Sequence, residues 1–354
     1  MQPTTVSRHF GSRAGESFEF QDILYTKADR VARVTLNRPQ HYNAYSTRAL
    51  EELAAAFRDA SFDDAVGVIV FTGAGDRAFC TGGDVKEYAA DYVRTPRDYW
   101  KYMALFRAYI EGIINAGKPV VARVNGMAVG GGNESQLACD LTVMAEHAYI
   151  KQVGTHVGSV AAGGSTQWLP IVVGDKRARQ ILMLNEAIPA KQALDWGLVN
   201  WVVPTVQQNG RWIEGASAEE IKQAQKGTGG YTIDLSRLDA FVDDVAQRLL
   251  ESFPECTRYT KQQVSFWKDL AWHSTVRHAQ DWLSLHYASW EPVEGMQAFV
   301  EKRAPRYALL RERAASGASS EAPWGAPVRR CGVCGASNLP ADHEFCGACG
   351  QRLS

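Results

Sequence analysis

The feature that most constrains the fold is a repeated unit in which an apolar strand leads into a glycine-rich turn and then a helix. Residues 66–72 (VGVIVFT) form a continuous apolar run, and a glycine-rich turn follows at 73–84. Residues 119–124 (PVVARV) repeat the strand, and residues 126–132 repeat the turn. Continuous apolar runs are typical of strands buried on both faces. The repeat therefore predicts βαβ units and an α/β fold, with a mostly parallel sheet covered by helices.

Composition excludes several classes of protein. The chain has 354 residues, of which 45% are hydrophobic and 22% charged, and its net charge is -1. A neutral chain has no global basic field to attract nucleic acid or an anionic membrane. No apolar run approaches the ~20 residues of a membrane helix, and no secretory signal is visible at the N-terminus. Scattered cysteines in the main body favour a reducing compartment, so we expect a cytoplasmic protein without membrane or nucleic-acid partners.

Shifts in composition and periodicity divide the chain into six predicted segments. The first 17 residues are polar, residues 206–232 are rich in Gln, Gly and Lys, and bulky aromatics mark the C-terminal helical part. The predicted segments are a flexible tail (1–17), an α/β core (18–205), an inserted loop (206–232), a helical region with two long helices that packs on the core or on a neighbouring subunit (233–313), a linker (314–328) and a C-terminal module (329–354).

The two glycine-rich turns are the candidate chemical site. Each follows a strand directly, and the carboxyl ends of parallel strands are where α/β proteins bind ligands. Glycine leaves the backbone N–H open to a ligand, and two such N–H groups can hold one carbonyl oxygen as it gains negative charge. Glu134 follows the second turn and supplies a carboxylate. Tight turns without a ligand are the alternative. A phosphate-binding loop is less well supported, because neither turn has the Gly-x4-Gly-Lys-Ser/Thr spacing that such a loop requires.

Four cysteines near the C-terminus predict a metal site. They form two Cys-x2-Cys pairs separated by eleven residues, and a glycine follows each pair; the four are Cys331, Cys334, Cys346 and Cys349. Four thiolates fit a closed, tetrahedral structural zinc site, and two disulfides are the alternative. A zinc ribbon of this size would draw its folding energy from the metal. It leaves no ligand position open for catalysis, so we expect it to bind a protein partner or its own copy in an oligomer.

Four motifs, in order, give the chain a specific resemblance to the crotonase, or enoyl-CoA hydratase/isomerase, superfamily. They are NRP with Asn43-Ala44, residues 79–84, residues 126–134 and residues 193–199 (ALDWGLV). The resemblance implies a spiral of ββα units, a homotrimer or dimer of trimers, and an acyl-CoA substrate with no redox cofactor. It also implies that the N–H groups of Gly83 and Gly131 polarise the thioester carbonyl and that Glu134 is an acid/base.

The remaining candidate residues line the expected substrate site. By resemblance, Lys86 matches a basic residue near the CoA phosphates, and Ala44 belongs to the substrate-binding motif. Asp84 either caps the following helix or borders the acyl pocket, while Tyr88 either donates to a ring ketone or forms a wall. His156 is a candidate second acid/base; the alternative is a structural histidine bonded to backbone.

The reaction is indicated by a closer resemblance. The position where hydratases of the family carry a second glutamate is Gly154, and the aspartate of the dihydroxynaphthoyl-CoA synthase branch is replaced by Ala161. The chain is similar to the ring-opening 6-oxocyclohex-1-ene-1-carbonyl-CoA hydrolases in several runs, which are residues 87–89, 102–106, 123–127, 163–166, 233–236 and 253–256. This implies hydration and hydrolytic opening of an alicyclic keto-enoyl-CoA. The alternatives are an enoyl-CoA hydratase/isomerase with a rebuilt second acid/base, and a non-enzymatic scaffold that binds RNA or protein through the ribbon.

Overall fold

A computed structural model describes residues 11–323, 327–337 and 339–353. Residues 1–10 of the predicted tail and residues 324–326 of the predicted linker lie outside the described residues. The described chain divides into two compact units. The larger comprises the described residues up to Gly83, Leu105–Val153 and Ala161–Val276, and the smaller comprises Asp84–Ala104, Gly154–Val160 and the described residues from Arg277 onward. These units cut across the segments predicted at 18–205 and 233–313.

The described strands are short, with at most six residues each. In chain order they are β1 (Ile23–Ala28), β2 (Val31–Leu36), β3 (Val68–Gly73), β4 (Ala78–Cys80), β5 (Val120–Val124), β6 (Met127–Val129), β7 (Leu141–Ala145), β8 (Tyr149–Lys151), β9 (Ile188–Pro189), β10 (Trp201–Val203), β11 (Val206–Gln208), β12 (Arg211–Trp212), β13 (Tyr231–Ile233), β14 (Pro327–Arg329) and β15 (Leu339–Pro340).

Helices are interspersed with strands up to residue 233, and five described helices then follow one another without an intervening strand. They are α1 (Thr47–Phe62), α2 (Val85–Glu87), α3 (Pro96–Ile114), α4 (Gly131–Ala138), α5 (Gly154–Val157), α6 (Ser165–Val172), α7 (Asp175–Leu184), α8 (Ala190–Asp195), α9 (Ala218–Lys226), α10 (Ser236–Leu250), α11 (Pro254–Val264), α12 (Phe266–His286), α13 (Trp290–Val300) and α14 (Tyr307–Ala315). Short 3₁₀ turns lie at Gly15–Phe18 and Pro39–His41, and a π-helical turn at Tyr88–Tyr92.

Two sheets in the larger unit are built alternately by the chain. The six-stranded sheet has the order β1-β2-β3-β5-β7-β10 and is parallel except for β1, which pairs antiparallel with β2. The four-stranded sheet has the order β4-β6-β8-β9. Each repeat places its first strand (β3, β5, β7) in the large sheet and its second (β4, β6, β8) in the small one. This alternation confirms the predicted α/β fold with a spiral of ββα units.

The core of the larger unit explains why the apolar runs form central strands. Every residue of β3 and β5 is buried, as expected for strands covered on both faces. The Phe71 ring lies 5.4 Å from the Phe57 ring of α1 and 5.1 Å from the Phe79 ring of β4. Burying each of these side chains contributes roughly 1.5–3 kcal/mol. Because β4 leads directly to the first glycine turn, this packing also fixes the position of that turn.

Two of the predicted segments are corrected within the larger unit. Residues 206–232 are not a loop: β11 pairs antiparallel with β12 and β13, and α9 lies between those two strands in sequence, with its capping box at Ser217 and Glu220. Polar composition concealed this small sheet because few of its side chains are buried. The tail is attached from Ser12 onward, since the Ser12 hydroxyl donates to Asp63 Oδ2 at 2.7 Å.

The helical region and the linker also differ from the prediction. Residues 233–313 contain five helices, α10 to α14, instead of two. The predicted linker begins inside α14, which ends at Ala315, and residues 320–322 are held by backbone bonds to residues 288–290. The Ala/Ser/Gly composition at 314–322 therefore does not mark a free linker there, because main-chain hydrogen bonds do not depend on side-chain type.

Candidate active site

The two glycine-rich turns meet in the larger unit. β4 and β6 are neighbours in the small sheet, so the turns that follow them lie side by side. Gly82 has φ +85°, and a Cβ added to it would lie 2.8 Å from the Gly131 nitrogen. The Gly82 carbonyl accepts from Tyr45 N at 2.9 Å, which ties the first turn to the segment before α1. Gly82 of the first turn and Gly131 of the second therefore lie in close contact.

The N–H groups of Gly83 and Gly131 have no acceptor among the described residues. Gly83 pairs with Tyr45 in an isolated parallel bridge, in which Tyr45 N donates to Gly82, and the Gly83 N–H takes no part. Gly131 is the first residue of α4, and the first N–H groups of a helix have no intrahelical partner. Two backbone donors are consequently available to a ligand.

Glycine is required at the start of α4 by close contacts. A Cβ on Gly131 would lie 1.8 Å from the Tyr45 hydroxyl oxygen, and one on Gly132 would lie 1.9 Å from the Cys80 carbonyl oxygen. The Gly131 carbonyl accepts from Ser135 Oγ at 2.6 Å, and Ser135 Oγ accepts in turn from the Tyr109 hydroxyl at 2.8 Å. These contacts hold the backbone of Gly131 in one position.

Glu134 lies in the first turn of α4 and is 6% exposed. Its Oε1 accepts from Gly163 N at 2.9 Å and from Ser165 N at 3.3 Å, whereas Oε2 accepts no hydrogen bond from the described residues. Burial raises the pKa of Glu134 to about 7, and the two N–H groups act against this rise. A carboxyl group with such a pKa can both accept and donate a proton near neutral pH.

The turn that holds Glu134 was not predicted as part of the site. Gly163 and Ser165 lie just before and at the start of α6, and the Gly164 N–H between them donates to Gln167 Oε1 at 3.1 Å. A Cβ on Gly163 would lie 2.1 Å from the Phe106 ring. The paired glycines at 163–164 were the visible signal, but the acceptor of the Gly163 N–H lies 29 residues earlier in the chain and could not be read from spacing.

The far end of α4 is held by a lysine from the C-terminal region. Lys268 Nζ lies 3.4 Å from the Ala138 carbonyl oxygen and 3.3 Å from that of Cys139. The last carbonyls of a helix lack intrahelical donors and carry partial negative charge, so an ammonium group there stabilises the helix. Lys268 therefore supports the helix that carries Gly131 and Glu134.

Among the other predicted residues, Ala44 belongs to the larger unit. It is 8% exposed, and its carbonyl accepts from the Arg38 guanidinium at 2.5 Å. Asp84, Lys86 and Tyr88 belong to the smaller unit. Asp84 caps α2 by accepting from Lys86 N at 3.1 Å.

Tyr88 lies in a cluster of five tyrosines of the smaller unit. Its hydroxyl is 2.6 Å from that of Tyr102, and the cluster is completed by Tyr92, Tyr99 and Tyr287. The rings of Tyr99 and Tyr287 are stacked with centroids 3.5 Å apart. The sequence singles out Tyr88 but does not reveal the cluster, because its members come from two distant parts of the chain.

His156 lies on α5 and is exposed. It lines a pocket of about 280 Å³ in the smaller unit, together with Glu294, Tyr307 and Arg311. Among the described residues no group bonds to its ring; the Tyr307 hydroxyl donates to its carbonyl oxygen at 3.1 Å. The alternative of a ring bonded to backbone is therefore wrong for the described chain.

The four C-terminal cysteines converge. The Sγ atoms of Cys331 and Cys349 are 3.7 Å apart, those of Cys334 and Cys346 are 3.6 Å apart, and all four lie within 4.8 Å of one another. None forms a disulfide. Thiolates placed about 2.3 Å from a tetrahedral metal ion are separated by about 3.8 Å, so the cluster has the dimensions of a four-thiolate metal site.

Backbone donors favour the thiolate form at two of the four cysteines, whereas at Cys349 the lowering by a backbone N–H is outweighed by the neighbouring sulfur atoms, which raise the pKa of its thiol. N–H groups of Cys334 and Val333 lower the pKa of the Cys331 thiol, and those of Cys349 and Ala348 lower the pKa of the Cys346 thiol.

No described helix has the length and apolar character required to cross a membrane.

Comparison with known proteins identifies the family to which the chain belongs. The sequence profile of the enoyl-CoA hydratase/isomerase family matches residues 26–226. The chain is 36% identical over 290 residues, 76% of each chain, to a 6-oxocyclohex-1-ene-1-carbonyl-CoA hydrolase of Geobacter metallireducens. It is 34% identical over 288 residues, again 76% of each chain, to the enzyme of that name from Thauera aromatica.

Solved structures give the same result for the fold. A crystal structure of an enoyl-CoA hydratase from Mycobacterium avium subsp. paratuberculosis K-10 superposes with a TM-score of 0.66 at 27% identity, covering 81% of this chain and 98% of that one. An enoyl-CoA hydratase from Bacillus anthracis gives a TM-score of 0.58 at 28% identity, covering 81% of this chain and 99% of that one. The profile match, the relatives and the spiral of ββα units agree, and the chain belongs to the enoyl-CoA hydratase/isomerase family.

Proposed function

We propose that this enzyme hydrates and then hydrolytically opens the ring of an alicyclic keto-enoyl-CoA of the 6-oxocyclohex-1-ene-1-carbonyl-CoA type. The observation that carries the proposal is the pair of available N–H groups at Gly83 and Gly131, one of them three residues before the buried carboxylate of Glu134. The ring-opening relatives at 36% and 34% identity support this choice of reaction.

In the first stage, water adds across the ring double bond. Glu134 takes a proton from the water, the oxygen bonds to the β-carbon, and the electron pair of the double bond moves to the thioester as an enolate. The N–H groups of Gly83 and Gly131 stabilise the enolate oxygen, and each such donor is worth roughly 3–4 kcal/mol in the transition state. Protonated Glu134 then returns the proton to the α-carbon, which completes hydration.

In the second stage, another water attacks the ring ketone. As the hydrate collapses, ionised Glu134 takes a hydroxyl proton and the bond between the former ketone carbon and the α-carbon breaks. The former ketone carbon becomes a carboxylic acid, and the electron pair of the broken bond gives a thioester enolate, to whose α-carbon Glu134 can return the proton. The same two N–H groups stabilise this second enolate, and protonation of the α-carbon gives a hydroxy-dicarboxylyl-CoA. The net change is the addition of two water molecules.

Other residues take supporting roles in the proposal. Lys86 contacts the CoA phosphates, and Ala44, Asp84 and Tyr88 contact the substrate. His156 is the candidate second acid/base, and substitution by Gln tests it: kcat should fall if the imidazole transfers a proton, because general acid–base catalysis is worth roughly a hundred- to ten-thousandfold. Unchanged kcat in His156→Gln removes it from the mechanism.

We also propose that the four C-terminal cysteines hold a structural zinc ion. Their donor set leaves no position for substrate, so the metal would supply folding energy to the ribbon and take no part in the reaction. The ribbon then remains available for a protein partner or a second copy of the chain.

A homotrimer or dimer of trimers is proposed for the assembly, in a cytoplasmic setting. Supporting it is a row of exposed apolar side chains on α11 and α12, with Val264 74%, Phe266 57% and Trp267 64% exposed. Exposed apolar patches of this kind mark interfaces between proteins. Sedimentation of the purified protein tests this directly; a monomer at micromolar concentration contradicts it.

The decisive experiment is the product of incubation with 6-oxocyclohex-1-ene-1-carbonyl-CoA, identified by mass. Addition of two waters with ring opening is expected, and Glu134→Gln should abolish it while CoA-ester binding persists. Reversible addition of a single water, with equal turnover of crotonyl-CoA, would instead establish the second candidate, an enoyl-CoA hydratase, which the family profile and the solved hydratase structures favour. Absence of turnover on both substrates overturns the proposal.

A further inference from the structure

We propose that Gln152 is a positioning residue that fixes the Gly131 N–H and the Glu134 carboxylate relative to each other. This inference rests on the proposed function. Gln152 is 1% exposed, and its Nε2 donates to two acceptors: the Gly130 carbonyl at 3.1 Å and Ser165 Oγ at 2.6 Å. One acceptor belongs to the turn that presents the N–H donor, and the other to the turn that holds the carboxylate.

The first contact orients the N–H donor. The Gly130 carbonyl and the Gly131 N–H are opposite ends of one peptide group, which is planar, so holding the oxygen sets the direction of the N–H. Helical N–H groups of Asn133 at 3.0 Å and Glu134 at 3.3 Å also reach the Gly130 oxygen. Gln152 adds a donor from outside the helix and thereby attaches this peptide to the small sheet.

The second contact orients the carboxylate. Ser165 uses its backbone N–H to bind Glu134 Oε1 and its Oγ to accept from Gln152, so the side chain of Gln152 acts on Glu134 through one residue. Asn133 Nδ2 lies 3.4 Å from the same Oγ. The residue that anchors Gly130 therefore also anchors the start of α6.

Strand pairing explains why residue 152 is the one that reaches both turns. β6 and β8 are parallel with Val129 opposite Lys151, and Gly130 N donates to the Lys151 carbonyl at 2.9 Å. Residue 152 follows directly and is placed beside Gly130. A primary amide offers two hydrogens on a single nitrogen, which matches two acceptors in a buried space.

The catalytic consequence follows from the precision that both groups require. The enolate oxygen must meet the Gly131 N–H while the α-carbon meets Glu134, so the two must keep a fixed separation. A displacement of about 1 Å can lower a rate about a hundredfold. We therefore expect Gln152→Met, which removes both donors and retains a side chain of similar length, to lower kcat by about a hundredfold with little change in KM.

The test compares three variants by two measurements. The first is kcat for the ring-keto substrate as a function of pH. The second is the carbonyl stretching frequency of bound cyclohexanecarbonyl-CoA, a saturated thioester that cannot react, measured by infrared difference spectroscopy. Gln152→Met should return the bound frequency towards its value in water and also displace the acidic limb of the pH profile. Ser165→Ala keeps the Gly130 contact, so it should displace the pH profile and leave the frequency at the wild-type value.

Gln280→Met is the matched control. Gln280 is also buried, and its Nε2 donates to the Trp100 carbonyl at 2.9 Å, so its loss removes a comparable hydrogen bond elsewhere. It should change neither the frequency nor the pH profile. If Gln152→Met does not fold, Gln152→Asn keeps an amide that is too short for both acceptors and should show the same pattern with a smaller loss.

Each outcome separates the inference from the proposed function. A wild-type enzyme that leaves the frequency of the bound thioester at its value in water contradicts the proposed N–H donors themselves. If Gln152→Met fully retains the wild-type frequency shift, only the role of Gln152 is overturned. The same holds if Gln280→Met loses as much of the shift as Gln152→Met does.

Discussion

Glu134→Gln is expected to stabilise the folded protein at alkaline pH, although it removes the proposed base. Glutamine keeps an acceptor oxygen for the Gly163 and Ser165 N–H groups but carries no charge. In the wild-type protein, burial raises the pKa of Glu134 from 4.5 to about 7. The unfolded chain therefore releases this proton near pH 4.5, whereas the folded chain keeps it until about pH 7. The free energy of unfolding accordingly falls as pH rises between these values and then levels off.

The size of the effect follows from the two pKa values. Above pH 8 the full difference between 4.5 and about 7 acts on the wild-type protein, which amounts to about 3 kcal/mol at 1.36 kcal/mol per pKa unit. At pH 5.5 the folded carboxyl is still protonated, and the penalty is only about 1.4 kcal/mol. The stabilisation gained by Glu134→Gln should therefore be about 2 kcal/mol larger at pH 8.5 than at pH 5.5.

Urea unfolding at a fixed protein concentration measures this difference. Far-ultraviolet circular dichroism follows the unfolding, because both units contain helices whose loss it reports. A constant protein concentration is needed because subunit association changes apparent stability.

Glu294→Gln is the matched control, with the opposite sign. Glu294 is also buried, and the guanidinium groups of Arg303 and Arg306 hold its pKa at about 2. Its stabilising effect is lost only as pH falls through about 2, so the variant should be destabilised equally at pH 5.5 and 8.5. Equal stability changes in Glu134→Gln at the two pH values, or a smaller gain at pH 8.5, would refute the reasoning.

Three further predictions concern turnover and the metal. Because Glu134 must be ionised to accept a proton and burial raises its pKa to about 7, kcat should rise with pH through about 7; a profile that is flat from pH 6 to 8 contradicts this. Gly131→Ala introduces a Cβ 1.8 Å from the Tyr45 hydroxyl oxygen and should lower kcat about a hundred- to a thousandfold, with undiminished kcat as the contrary result. Elemental analysis should find zinc in the wild-type protein and none in Cys346→Ser, while turnover persists in the variant; a metal-free wild-type protein contradicts the zinc assignment.

The parts of the fold that could be predicted are those where local sequence and burial agree. The apolar run at 66–72 appears as β3, whose six residues are all buried, and the glycines after β4 and β6 stand where the backbone must pass close to other backbone. Here one cause, a strand covered on both faces followed by a turn without room for side chains, leaves a direct trace in residue type.

The features that the sequence did not predict are those whose physical cause leaves no signal in residue type. Helix α11 ends and α12 begins on either side of Ser265. Ser265 keeps helical dihedral angles and has no glycine or proline next to it, so the periodicity of the sequence predicted one long helix across this position. The residues that hold Glu134, namely Gly163 and Ser165, act through backbone N–H groups, which every residue except proline carries. Contacts of this kind have no side-chain signature, and only the folded chain reveals them.

The attachment of Lys268 to the end of α4 has a consequence for biosynthesis. The carbonyl groups that it holds precede it by 130 and 129 residues, so α4 leaves the ribosome long before Lys268 has been translated. A nascent or truncated chain that ends before α12 would contain every glycine turn and the carboxylate, yet its eight-residue helix would lack the ammonium group at its end. We expect a nascent chain to acquire activity only after α12 has been translated and Lys268 has reached the end of α4, whereas a chain truncated before α12 should remain inactive.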